Sequence, residues 1–321
     1  MKKNIFFGIC FAVLLFCCFY YPVESYELIE YSFMLWLKKL APFLFPFLIL
    51  TNVIMQSGLL KLLAPLFYPL ARLYRTSPSA IFAVLCGCLG GQPTGVKTVS
   101  QMVIAGEISA EEAQNISAFC SMSSPSFILT SVGLLLYQDA RVGTVLLLSS
   151  VLSVLFTGLF FRRPKGRTPL PAVSKPKPAG ILNILISAIT NSTYTVILVG
   201  SYIIFFGFAA GILNRLGIFS AIAQLIIRLG INVQPEAVTG FLWGAIEITG
   251  GADQISALAL NLPARLILTS IIINWGGLSV HAQSTTFLSE AGLSANHYLR
   301  GKLIQPFIAG IATGVLCLWM L

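Results

Sequence analysis

The chain has 321 residues, of which 56% are hydrophobic and only 10% charged. A soluble domain carries about 25% charged residues, so a water-soluble enzyme, a disordered chain and a disulfide-stapled secreted domain are excluded. The net charge of +9 is modest and clustered, and reads as a membrane-topology signal, not a nucleic-acid footprint. The bilayer is the solvent for most of the chain, and the expected fold class is an all-α polytopic membrane protein. At roughly 20 apolar residues per span, the apolar segments make about eight to ten crossing or half-crossing elements.

In chain order, Lys2 and Lys3 precede an apolar run over about residues 5–21. No small-residue cleavage site follows, so this run is expected to stay as a membrane helix. Glu24, Glu27 and Glu30 read as a short acidic turn, closing an N-terminal unit over 1–30. A first membrane repeat is expected over 31–161. It opens with an apolar stretch from Phe33 to Ser57, interrupted by Pro42 and Pro46, and Gly58 ends that stretch. Residues 60–75 read as a short amphipathic or partly inserted helix. The segment Ser79–Ala105 is broken at GCLGGQPTG (Gly87–Gly95), and the segment 116–138 at SMSSPS (Ser121–Ser126). Between them, Ser109-Ala-Glu111-Glu112 has the spacing of a capped helix start, with acids at the positive dipole end. Val142–Phe161 is an ordinary span.

Residues 162–192 are a basic, proline-rich linker and lead-in segment, with six Lys/Arg and no acid over Arg162–Gly180. A second repeat is expected over 193–321. It has an apolar stretch Thr193–Leu213, an amphipathic segment Gly217–Leu229 and a last span at about 302–320. Two broken segments lie between, interrupted at EITGGAD (Glu247–Asp253) and at NWGGLSVHAQS (Asn274–Ser284). Laid over the first half at a nearly constant offset, Gly58 falls on Gly217, Leu66 on Leu225, Gly90-Gly91 on Gly250-Gly251, Ser121 on Ser279 and Gly143 on Gly301. Paired Gly/Pro-interrupted segments at matching places in two halves point to a transporter binding site. The positive-inside rule puts both the N-terminus and the 162–180 linker in the cytoplasm, which requires an even number of crossings between them, four or six according to whether 60–75 inserts and whether the broken segments cross or return as hairpins; an odd number per repeat would make the repeats inverted.

The breaks are also where chemistry is expected, because backbone freed within a bilayer is tolerated only against protein or a water-filled cavity. Gly90, Gly91, Gln92, Thr94 and Gly95 surround a helix restart, with Lys97 one turn inside it. Free N–H groups, a positive dipole end and a cation suit a small anion. Ser123, Ser124 and Ser126 around Pro125 either line a polar cavity or satisfy the backbone that Pro125 frees. Glu247, Thr249, Gly250, Gly251 and Asp253 form a second glycine break with two membrane-embedded acids. These acids are candidates for a coupling H⁺ or Na⁺, or for pairing with Lys97 in the empty state. His281 is a candidate polar gate, or a packed core histidine. The seven cysteines read as small hydrophobes. Cys86-x-Cys88 lacks metal-site spacing and no cofactor is expected. Protease, phosphate-loop and hydrolase signatures are absent, so an enzyme is not expected.

The run from Gly87 to Ile128, with Glu247-Ile-Thr-Gly-Gly, resembles the signature of the YlbJ-type sporulation integral membrane proteins. These belong to the wider nucleoside-recognition or Gate superfamily, whose members resemble half of a concentrative nucleoside transporter. The resemblance implies a role in endospore formation, in moving dipicolinate from the mother cell across the outer forespore membrane. The expected function is therefore a transporter or facilitator of a small organic anion. A nucleoside or ion permease, a non-transporting scaffold of the sporulation machinery, and a homo-oligomeric state all remain open at this point.

Overall fold

The computed structural model describes residues 2–57, 64–162 and 180–321. Among them all regular structure is helical, as a bilayer demands of backbone that must satisfy its own hydrogen bonds. Gly58, most of the 60–75 segment's start and nearly all of the basic linker lie outside the described residues.

Helix α1 (Lys2–Tyr20) meets α2 (Pro22–Met34) at a bend of 112°. The acidic turn expected near Glu24–Glu30 is in fact helix. Pro22 sits at its first position, where a missing N–H is harmless, and Glu24 pairs with Arg215 at 2.7 Å. A π-wound turn, Leu35–Leu40, leads into α3 (Ala41–Gln56). After the short α4 (Tyr68–Tyr74) come α5 (Pro78–Gly90), α6 (Thr94–Ile104), α7 (Ala110–Ser117), the π-wound α8 (Phe127–Leu136) and α9 (Ala140–Phe160). The second half has α10 (Ile181–Arg215), α11 (Ile218–Arg228), α12 (Pro235–Ile246), α13 (Ile248–Ser256), α14 (Leu262–Trp275), α15 (Gly277–Glu290) and α16 (Asn296–Met320). Helix α10 starts at Ile181, so the last part of the expected lead-in segment belongs to it.

Caps set several of these boundaries. Ser109 Oγ accepts from Glu112 N, as the sequence spacing requires. The buried Glu112 carboxylate also accepts from Ser77 N and Thr76 Oγ1, tying the start of α5 to α7. Asp139 accepts from Arg141 N, and the Arg141 guanidinium holds its carboxyl below the usual carboxylate range.

Among the described residues four helical segments, α9, α10, α14 with α15, and α16, are long and apolar enough to cross a membrane, or five if the bent α1–α2 pair counts as one. The pairs α5–α6 and α12–α13 are different. Helices of 13 and 11 residues reach only about 20 Å and 17 Å, against a hydrocarbon core of about 30 Å. Each pair packs side by side, and so enters and returns as a hairpin. Both hairpins close on glycine. A Cβ on Gly95 would lie 2.9 Å from Gly87 Cα, and one on Gly251 would overlap Gly244 Cα.

Helices α2, α3 and α10 pack into an outer layer, joined by Asn52 Nδ2 donating to Ser192 Oγ at 2.9 Å. Helices α8, α9, α14 and α16 form an inner bundle. Its α9–α14–α16 interface is polar: Asn274 Nδ2 donates to Ser150 Oγ, and Ser153 Oγ to Asn274 Oδ1. The hairpins lie between these layers.

Candidate functional site

Four interruptions in helices meet at one place. The first is the tip of hairpin α5–α6, Gly91 to Pro93. The second is the non-helical stretch 118–124 between α7 and α8. The third is Glu247 alone, extended at φ −141° between α12 and α13. The fourth is Gly276, at φ 95° between α14 and α15. Each contacts another. Gly87 and Gly95 both press on the Cys120 carbonyl, and Gly91 lies on Ser124. Gln92 reaches across to Gly276, where a Cβ would fall 2.6 Å from its Oε1. Ser123 Oγ donates to Ile273 O at 2.9 Å, and Trp275 Nε1 to Ala245 O at 3.1 Å.

A cavity of about 70 Å³ opens between the breaks. Gly90, Gln92, Ser123, Ser124, Glu247, Thr249, Ser279 and Gln283 line it, with Thr195 and apolar side chains of α3 and α10 closing the other side. Both side-chain polar atoms of Gln92, and Oε1 of Gln283, are buried without a hydrogen-bond partner among the described residues. Buried polar groups are normally satisfied, so these three unpartnered amide atoms, on two residues that line one cavity, mark Gln92 and Gln283 as candidates for holding a solute. A second cavity of about 180 Å³ shares Leu48, Thr195 and Gln283 with the first. It is lined by Thr94, Lys97, Gln101, Asn52, Asn191 and Tyr194.

The two charges predicted to pair do not. Glu247 is the N-cap of α13, its two oxygens accepting from Thr249 N at 2.9 Å and Gly250 N at 2.8 Å. The positive end of α13 therefore carries its charge, and the carboxylate needs no lysine. Lys97 Nζ instead lies over the Phe287 ring, 5.7 Å from its centroid, with no carboxylate in ion-pair range among the described residues.

Other expected site residues are also displaced. Gly95 and Gly251 serve the hairpin crossings, and Gly250 lies on the Trp243 indole. Gly250-Gly251 sit inside α13, so the glycine-on-glycine overlay of the halves is a few residues out of register: Glu247 is the counterpart of the Gly91–Pro93 tip. Asp253 lies away from both cavities, bonded to Lys39 Nζ at 2.8 Å and Tyr31 Oη at 2.7 Å. Ser126 has already entered the next helix and lines neither cavity. His281 turns from both cavities to Tyr298, Nδ1 to Oη 3.0 Å, with its ring 4.3 Å from that of Trp275. Sequence reasoning gave no role to Ser279 and Thr195, which line the cavity, or to Lys302, which is buried behind it. Thr195 carries no local signal, since it lies within a long apolar helix. Ser279 sits in the fourth break, and Gln305 one turn after Lys302 makes a polar pair within an apolar span.

Residues 37–137 match the Gate family, described as nucleoside recognition. The matched segment is about a third of the chain. It runs from the π-wound turn before α3 through α8, and so contains the first hairpin and the second break. Sporulation integral membrane protein YlbJ of Bacillus subtilis (strain 168) is 26% identical, covering 93% of this chain and 78% of YlbJ. The chain is a distant homologue of that protein. CNTnw in an inward-facing substrate-bound state superimposes with a TM-score of 0.64 at 14% identity, covering 97% of this chain and 86% of CNTnw. An outward-facing CNTnw double variant gives 0.60 at 16%, covering 99% and 85%. The chain therefore shares the all-helical polytopic membrane fold of CNTnw. The likeness also runs over nearly the whole of both chains, which corrects the expectation of half a transporter.

Proposed function

We propose that this Gate-domain protein is a membrane transporter that takes a small organic anion through the cavities between its two hairpins. The observation that carries the reading is Lys97. It is a cation with no carboxylate in ion-pair range among the described residues, on the wall of a polar cavity that shares Gln283 with the cavity lined by Gln92. An ammonium at that depth is costly unless it meets an anion. Kinship with YlbJ supports a role in sporulation, and dipicolinate, a planar dianion, is the substrate we favour. A second reading, a neutral nucleoside-like solute, is favoured by Glu247: it is the ionisable group lining the inner cavity, and its charge repels a second anion there. The two halves are read as inverted repeats, with the N-terminus and the 162–180 linker in the cytoplasm.

The deciding experiment is flux of labelled dipicolinate and labelled uridine into vesicles holding the purified protein, with Lys97→Met beside the native chain. Dipicolinate uptake that Lys97→Met lowers by about tenfold, the scale of one charged hydrogen bond, supports the anion. Uridine uptake indifferent to Lys97→Met establishes the second reading, and flux of neither returns the scaffold. For the topology, a cysteine placed at Ala172 should resist a membrane-impermeant thiol reagent in intact cells.

A further inference from the structure

Lys302 is the buried charge that this transport reading does not use. It lies in the second turn of α16 with 1% of its surface exposed. Its Nζ donates to Ser121 O at 2.7 Å and to Asn274 O at 3.2 Å. No carboxylate lies in ion-pair range of it among the described residues. Both acceptors are carbonyls that helix breaks set free. Asn274 is in the last turn of α14, where the interruption at Gly276 removes the N–H groups that would otherwise cap it. Ser121 lies within the non-helical stretch 118–124 after α7. Helix C-termini carry the negative end of the macrodipole. In transporters built from broken helices, such unwound carbonyls and half-helix ends are where a coupling cation is bound.

We propose that Lys302 is a tethered cation: its ammonium occupies, from α16, the cation position created by the second and fourth helix breaks, in place of a bound alkali-metal ion. The arrangement explains why a lysine is tolerated there without an acid. It also gives the ammonium a positioning role, since it fixes the end of α14 and the 118–124 stretch, which carries Ser123 and Ser124 to the cavity wall. The packing around it is built for this approach. Gly301, its chain neighbour, lies so close to the Ala118 carbonyl that a Cβ would overlap it.

The test is thermal unfolding of the full-length purified protein in detergent. The native chain, Lys302→Ala and Lys302→Gln are compared in chloride salts of sodium, potassium, methylammonium and N-methylglucamine at equal ionic strength. For the native chain Tm should be the same in all four salts. Lys302→Ala should have a lower Tm in N-methylglucamine, and sodium or methylammonium should raise it saturably, by several degrees. Lys302→Gln keeps a donor for the carbonyls but not the charge, and should stay below the native Tm in every salt. A Lys302→Gln protein as stable as the native chain would mean that the side chain is only a hydrogen-bonding brace, and would overturn the proposal. So would a Lys302→Ala protein that no cation stabilises. If Lys302→Ala does not accumulate, the Lys302→Gln comparison alone decides. None of these outcomes depends on the substrate, so failure of the transport reading leaves the test intact.

Discussion

The two hairpins are built alike and do different work. Both cross on a glycine pair, Gly87 with Gly95 and Gly244 with Gly251, and both put their tips at the inner cavity. The first tip ends in Gln92, a neutral amide whose polar atoms find no partner among the described residues. The second ends in Glu247, a charge already answered by the amides of its own helix. A satisfied carboxylate is a fixed part of the wall. An unsatisfied amide is a group whose partner has yet to arrive. One tip is therefore satisfied within the structure and the other is not, and on the proposed reading this difference separates residues that hold the site from residues that recognise a solute.

The sharpest break in this symmetry is at the crossing itself. Gly95→Ala would press a methyl into the Cys120 carbonyl and Gly87, and overpacking of this kind destabilises by about 1–3 kcal/mol or more. Membrane protein level should fall steeply, with no change of KM in what remains. Normal levels with a raised KM would restore Gly95 as a binding residue. Next is Glu247→Ala, which strips the cap from α13. Loss of a cap costs about 1–2 kcal/mol, so Tm should drop and uptake should be lost, whereas Glu247→Gln, which keeps one acceptor, should recover part of the Tm.

Gln92→Leu should do the reverse. Removing buried polar atoms that have no partner is neutral or stabilising, by about 1 kcal/mol. Tm should hold or rise while uptake falls, and a fall in Tm would show that Gln92 is a structural amide like any other. The smallest effect is expected at Asp253→Asn. Its partners Lys39 and Tyr31 are half-exposed, and such pairs are worth about 0–1 kcal/mol. Stability should barely move, and loss of uptake there would return Asp253 to the coupling role that its sequence context suggests.

The sequence by itself determined the class of the molecule and where its helices fail. An apolar, weakly charged chain has no stable state but membrane helices, and glycine, proline and short polar runs cannot continue them. All four interruptions were legible for that reason, as were the cap at Ser109 and the likeness to the Gate superfamily. Only the tertiary structure decided what each interruption does. Whether a glycine touches a solute or a neighbouring backbone depends on a carbonyl far away in sequence, as Cys120 is from Gly95. Whether an acid pairs with Lys97 or caps its own helix depends on the rotation of one residue, Glu247, into an extended conformation. The part Lys302 plays was hidden for the same reason, although its pairing with Gln305 marks the position. Nothing beside it in the chain records that two freed carbonyls, from segments far apart in sequence, arrive at its ammonium.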